Sequence, residues 1–383
     1  MNNKTIIFRI VTSNYCVSTH LKNTLIRLPN NLQFFVIGDD VEIFSTQYPS
    51  VIFVNVPLKR NFNFINDIFS SFKIVFLILK YKPKVVHSLM TKAGLYTAIL
   101  AFLLRVEVRC HTFTGQIWAT KTGLIRFLLM QVDKIICYLN TNCFTDSNSQ
   151  SEFLLTHGIS MKGELIPYFL NGSISGVDIE KFKFDNLIIE RNQILEKYNI
   201  RPNQFVLGYI ARKSIDKGCI DMLKIFSKVL TKMVDKEIKL FFIGPDESNG
   251  VLTDFYKSNP EIRENIIELG FVNNHYHYLS ACNLMCLPSH REGFGSIVID
   301  AAAIGVPTVG YSIPGLIDSI SDKYSGILVP FGNVDSFVNE IVELISNSVK
   351  LEEMSVNSRK YVEDKFDANL VNQSIFDFYT YGK

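Results

Sequence analysis

Residues Pro288–Gly315 read PSHREGFGSIVIDAAAIGVPTVGYSIPG. The apolar run Leu284–Pro288 that leads into them predicts a buried strand. Glu292-Gly293-Phe294-Gly295 then predicts a turn, because glycine tolerates backbone conformations that other residues resist. Ser296–Ile304 follows as a helix and Pro307–Gly310 as the next short strand. Strand, turn, helix and strand in so short a stretch make one unit of a parallel sheet whose faces are covered by helices.

The alternation extends in both directions. Phe205–Ala211, Lys239–Gly244, Ile266–Phe271 and Gly326–Val329 read as strands, Asp216–Val229 as a helix, and the segments from Val334 onward as helices. A separate series fills the first part of the chain. Its strands are Lys4–Val11, Leu32–Ile37, Val51–Val56, Lys84–His87, Val108–His111 and Cys143–Asp146. Its helices are Val17–Leu28, Ile65–Leu79, Lys92–Leu104 and Leu124–Leu139. Between the two series, residues from about 168 to 190 break the rhythm with Asn171, Gly172, Gly176 and several charges, as an interdomain connection does. The expectation is an α/β chain of two doubly wound, Rossmann-like domains, residues 1–170 and 180–364, facing each other across a cleft. A C-terminal helix at about 365–383 is expected to pack back on the first domain. Ligands of such sheets bind beyond the carboxyl ends of the strands, and a cleft between domains is a usual small-molecule site.

Bulk properties agree. A chain of 383 residues, 47% hydrophobic and 20% charged, has the composition of globular domains and exceeds one ordinary core. Seven scattered cysteines without a Cys-x-x-Cys pair argue against a disulfide framework or a zinc site, and favour a reducing compartment. Ile6-Ile7-Phe8, cut by Arg9, is too short for a signal-peptide core. No run reaches the roughly 20 apolar residues of a membrane-spanning helix. Charge is uneven: residues 1–182 hold 18 Lys and Arg against 11 Asp and Glu, and residues 183–383 hold 21 against 26. The basic half is suited to an anionic partner. Lys59, Arg60, Lys73, Lys80, Lys82 and Lys84 flank the Ile65–Leu79 helix, whose apolar faces suit either a core or a membrane surface.

Two constellations carry the chemistry. In the first, the turn Gly293-Phe294-Gly295 and the helix start at Ser296 and Ile297 offer free backbone amides, which attract an anion such as phosphate. Glu292 before the helix and Asp300 two turns into it are carboxylates, each able to accept hydrogen bonds from paired hydroxyls of a sugar or ribose. In the second, Gly208-Tyr209-Ile210-Ala211-Arg212 runs off a strand into Asp216-Lys217-Gly218. Arg212 is a planar fork and Lys217 a point charge, a pair suited to clamping a diphosphate. Alone, either could be an ordinary turn or a solvated basic loop. No Gly-x-Gly-x-x-Gly follows the first strand, which counts against a nicotinamide enzyme. No metal-binding acid motif stands at a strand end, and Asp39-Asp40 reads as a turn.

Together these stretches resemble the GT-B glycosyltransferases of family 4, the retaining "group 1" enzymes. There a strand ending in Gly-Arg is followed by Lys-Gly, and two acids eight apart flank a Gly-Phe-Gly turn. Here Ala211 precedes Arg212, and Asp300 stands where Glu is usual. The segments HSLMTKAGL (His87–Leu95), HTFTGQIW (His111–Trp118) and GSISGVD (Gly172–Asp178) look like a bacterial subgroup that builds O-antigen or capsule on undecaprenyl-diphosphate.

The resemblance implies Arg212, Lys217 and Glu292 as catalytic residues, and Gly293, Phe294, Gly295, Ser296, Ile297 and Asp300 as donor-binding. Ser13, Lys92, His111, Thr114 and Gly115 are candidates for the acceptor or donor sugar. The family tends to carry a histidine just before the glycine that here is Gly115; Thr114 holds that place and His111 lies three earlier, and both are candidates to face the donor sugar. No cofactor or metal is implied beyond a nucleotide-sugar co-substrate, expected to be a UDP-sugar, with an N-acetylhexosamine such as GalNAc as one candidate. The expected partners are an undecaprenyl-diphosphate-linked acceptor and an anionic membrane surface, not nucleic acid. The expected location is cytoplasmic, on the inner face of the cell membrane. The alternatives are a GT-B epimerase or sugar phosphorylase and, outside enzymes, a two-lobed sugar-binding protein.

Overall fold

The computed structural model describes residues 4–59 and 63–382. The chain forms two compact units. One runs to Gly176 and resumes at Ala368, and the other is Val177–Asp367.

The first unit holds a parallel sheet of β1 (Thr5–Ile10), β2 (Leu32–Gly38), β3 (Ile52–Asn55), β4 (Val85–Leu89), β5 (Val108–Phe113) and β6 (Asn142–Thr145), in the order β3-β2-β1-β4-β5-β6. Its strands are apolar runs because both faces are covered. Winding reverses between β1 and β4. The crossovers β3→β4, β4→β5 and β5→β6 all step the same way, so right-handed connection lays their helices on one face. These are α1 (Phe64–Tyr81), α2 (Thr91–Leu103) and α3 (Gly123–Leu139). Asn63 caps α1 by accepting from the Asn66 amide, and Lys82, in the left-handed conformation before Pro83, ends it.

The second unit repeats the plan with β7 (Phe205–Ile210), β8 (Ile238–Ile243), β9 (Ile266–Leu269), β10 (Leu284–Leu287), β11 (Thr308–Tyr311) and β12 (Gly326–Val329), in the order β12-β11-β10-β7-β8-β9. Its reversal lies between β7 and β10. The helix after β10 is α4 (Ser296–Ile304), with the bounds read from the sequence. The last helix, α5 (Ala368–Tyr381), belongs to the first unit, where Phe376 and Tyr379 set their rings edge-on to Phe34.

Sequence periodicity misses several helices. Asn148–Thr156 is capped by Ser147, and Ile188–Lys197 lies partly in the stretch read as a connection. Ile194 is the only residue of Ile188–Lys197 that is buried, so the apolar stripe that marks a helix is nearly absent there. All seven cysteines are buried thiols. Among the described residues, no helix is long and apolar enough to cross a membrane.

Candidate active site

The second unit's reversal point gathers the residues of both constellations. In a doubly wound sheet this is where the loops diverge and leave a crevice. Arg212 lies just past the end of β7, and Lys217 ends a single turn of 3-10 helix, Ile215–Lys217. Gly218 has φ +68°, and a Cβ there would collide with the Pro288 carbonyl at the end of β10. Glycine is therefore what lets the loop after β7 lie directly on the loop after β10. The buried Tyr209 hydroxyl, 3.0 Å from both the Arg212 and Lys217 carbonyl oxygens, fastens the loop from beneath. Burial pushes the Tyr209 phenol well up, so it stays a donor.

This close approach creates a network of charges. Lys217 Nζ is 2.6 Å from Glu292 Oε2 and donates to the Arg291 carbonyl at 3.2 Å. Ser289 Oγ donates to Glu292 Oε1 at 2.8 Å. The Lys217 and Glu292 side chains are only 17% and 11% exposed, so their attraction is weakly screened. Arg212 pairs with Glu247 and, at 3.4 Å, with Asp216. Arg291 reaches the same Asp216 oxygen at 2.7 Å, and Ser214 Oγ donates to the other at 2.5 Å. Burial alone would raise the Asp216 carboxyl, but Ser214, Arg291 and Arg212 together hold it well below the usual carboxylate range. Three cations and three carboxylates thus interlock at one sheet edge. Of these, the sequence reading assigned roles to Arg212, Lys217 and Glu292. It missed the parts of Arg291, Asp216 and Glu247.

Gly295, at φ +78°, opens α4. The Phe294 side chain turns into the core against Phe366, with ring centroids 5.0 Å apart, so only its backbone faces outward. Gly293, Ser296 and Ile297 are half-buried at the start of the helix. A Cβ on Gly315 would strike the Gly293 carbonyl, so the loop after β11 presses on this turn. Asp300, largely buried, has Oδ2 2.8 Å from Nε2 of His275. The sequence offered no sign of His275, which opens the short helix His275–Ser280 after β9.

The first-unit candidates stand at the carboxyl ends of β1, β4 and β5. Ser13, three residues beyond Ile10 at the end of β1, has Oγ 3.9 Å from Cys16 Sγ. Thr114 follows β5, with Oγ1 3.6 Å from Met90 Sδ, and Gly115 takes φ +67° beside it. Lys92, in the first turn of α2, is ion-paired to buried Asp67 at 2.6 Å and donates to the Lys59 carbonyl. His111 lies inside the sheet. Its Nδ1 is 2.9 Å from Ser88 Oγ, and burial lowers its pKa to about 3. A neighbouring cluster joins buried Arg9 to His87 and Tyr379, with His87 Nε2 2.7 Å from Thr112 Oγ1. Burial, then Arg9 and His111, keep the His87 ring neutral.

Two six-stranded doubly wound units, one with a cationic loop pair beside a glycine-led helix start, are an arrangement suited to a phosphorylated ligand. Residues 190–361, within the second unit, match the family model of glycosyl transferases group 1, and with the relatives that follow this marks the protein as a glycosyltransferase. It is similar to the capsular polysaccharide biosynthesis glycosyltransferase CapM of Staphylococcus aureus, 28% identical over 97% of this chain and 96% of the relative. It is also similar to the UDP-Gal:alpha-D-GlcNAc-diphosphoundecaprenol alpha-1,3-galactosyltransferase of Escherichia coli, 24% identical over 84% of this chain and 81% of that protein. The crystal structure of Anabaena Alr3699/HepE in complex with UDP and glucose shares the fold, with a TM-score of 0.80 over 99% of this chain and 100% of that one. At 16% identity that likeness concerns the fold, which is GT-B.

Proposed function

We propose that this glycosyltransferase moves a hexosyl group from a UDP-sugar to a lipid-diphosphate-linked acceptor, with retention of anomeric configuration, in building a bacterial capsule or O-antigen at the inner face of the cell membrane. The observation that carries the reading is the pairing of Lys217 with Glu292, next to Arg212 on the same loop and just before the start of α4, at the second sheet's reversal point. The names of the two relatives support the polymer, the donor nucleotide and the lipid-linked acceptor. UDP and glucose in the HepE complex support the donor class.

The chemistry follows from charge. The bond between the anomeric carbon and the diphosphate oxygen breaks as the acceptor oxygen bonds to that carbon. The acceptor's proton passes to the departing diphosphate. Negative charge therefore grows on UDP, where Arg212, Lys217 and the amides from Gly293 to Ser296 stabilise it. A diphosphate arriving here replaces one anionic partner of Lys217, the Glu292 carboxylate, and frees that carboxylate for the sugar hydroxyls. Asp300, oriented by His275, takes the ribose hydroxyls. Ser13, Thr114 and Gly115 form the edge that meets the acceptor, with Lys92 near its diphosphate, and His111 supports that edge from inside. In this reading no metal is needed, because side-chain cations and helix amides carry the charge.

The test is incubation of the purified protein with UDP-sugars, UDP-GalNAc among them, with and without a polyprenyl-diphosphate-linked sugar. The expected result is glycosylated lipid and UDP in equal amounts, unchanged by excess EDTA. A new sugar isomer formed from donor alone, or a sugar phosphate formed with inorganic phosphate, would replace the transferase reading with an epimerase or a phosphorylase.

A further inference from the structure

Helix α1 is apolar on two opposite faces. Ile74, Leu77 and Ile78 point into the sheet and are buried. Phe69, Phe72, Phe76 and Leu79 repeat at three- and four-residue steps on the other side, and Phe72 is 71% exposed. A soluble surface helix puts polar residues on that face. Across the same layer of the unit, Leu124 and Leu128 of α3 are exposed at 70% and 53%. Between α1 and α2 an apolar groove of about 510 Å³ is lined by Phe64, Ile68, Phe72, Val75 and Leu100, with Tyr96 and Asp67 at its polar end. An exposed apolar patch spread over two helices marks an interaction surface.

The charges of this layer say what covers it. Residues 63–139 contain ten Lys and Arg and only three Asp and Glu. Two of those acids, Asp67 and Asp133, are buried and bonded to Lys92 and Trp118. Lys80, Lys82 and Lys84 at the end of α1, Arg105 after α2 and Lys121 before α3 are all exposed. Arg60, counted among the flanking cations in the sequence, lies outside the described residues. Apolar side chains within a rim of cations match an anionic lipid surface, where the chains enter the acyl layer and the cations meet the headgroups. A second copy of the chain is disfavoured, since it would bring the same positive charge to the same place.

We infer that the outer face of the α1–α2–α3 layer inserts into an anionic bilayer, with Phe69, Phe72 and Phe76 as the penetrating side chains. The inference rests on the membrane-side reading of the preceding subsection and names the surface that performs it. Attachment then has a salt-sensitive part from lysine and a salt-resistant part from phenylalanine.

The test is co-sedimentation of the full chain with vesicles of phosphatidylethanolamine and phosphatidylglycerol, against phosphatidylcholine alone, at low salt and at about 0.5 M salt. The wild type should sediment with the anionic vesicles, bind more weakly at high salt without release, and stay largely in the supernatant with phosphatidylcholine. Phe72→Ser with Phe76→Ser should cut binding at least about 10-fold. Lys80→Glu, Lys82→Glu and Lys84→Glu together should cut it about 100-fold at low salt. All five side chains are exposed or at helix ends, so melting temperature should hold and confirm folding. Wild-type protein remaining in the supernatant with anionic vesicles overturns the inference. So does a Phe72, Phe76 double variant that binds like wild type, or one that dissociates a dimer instead. Sedimentation needs no turnover, so it is read independently of the transferase assay. Transfer to a short-chain, water-soluble acceptor should be unchanged in the double variant.

Discussion

Each sheet reverses its winding once, between β1 and β4 in the first unit and between β7 and β10 in the second. The second reversal is ringed by Arg212, Lys217 and Arg291, each held by a carboxylate. The first offers hydroxyls, a glycine turn and one lysine paired with a buried acid, over histidines that burial keeps neutral. One architecture thus carries two chemistries. Cations that already share carboxylates are prepared to exchange one anion for another, as binding and release of a diphosphate require. An edge of hydroxyls and backbone suits a neutral, hydroxyl-bearing partner.

Mutations can break this comparison. The largest effect is expected from Lys217→Ala and Arg212→Ala, each lowering turnover at least ~100-fold, the scale of losing one charge-stabilising donor. Ser13→Ala should act far less, and a loss as deep as that of Lys217→Ala would erase the distinction between the two edges. Glu292→Gln comes next and should lower kcat with little change in KM, if the carboxylate holds the sugar as it reacts. Asp300→Asn should mainly raise KM for the donor if the carboxylate holds the ribose, a contact made equally in ground and transition states. His275→Ala should follow it in direction, to a smaller extent, by loosening Asp300. A fall in kcat for Asp300→Asn with KM unchanged would exchange the two acids' roles.

The smallest expected effect is on stability. Burial holds His111 down at about 3 and His87 well below its ordinary value, while unfolded histidine titrates near 6.5. The unfolded chain therefore takes up these protons first. Stability from keeping the rings neutral is complete above about pH 6.5 and declines as pH falls toward 3. Thermal melting from pH 7 to 4 should show the decline, and His111→Gln should make it shallower. An equally steep decline in the variant would remove His111 from the account.

What the sequence could and could not show follows from how far apart the deciding residues lie. Leu284–Leu287 and Ser296–Ile304 are legible because apolar runs and glycines act locally. The charges around Asp216 and Arg291 meet only because Gly218 lets two loops touch, 70 and more positions apart in the chain, and no local pattern encodes that meeting. His275 and Asp300, 25 positions apart, are likewise joined by the fold and not by a local pattern. Helix α1 shows a different limit. Its residues read as apolar, but a run of phenylalanines looks the same whether it faces a sheet or lipid, and only the fold separates Ile74 from Phe72.

The most direct test of the central claim is UDP release by the wild-type protein, followed as acceptor is added to a UDP-sugar at saturating concentration. The account predicts release that depends on the lipid-diphosphate acceptor and matches glycosylated product mole for mole. Release at the same rate without acceptor, or none with any UDP-sugar and acceptor supplied, would contradict it.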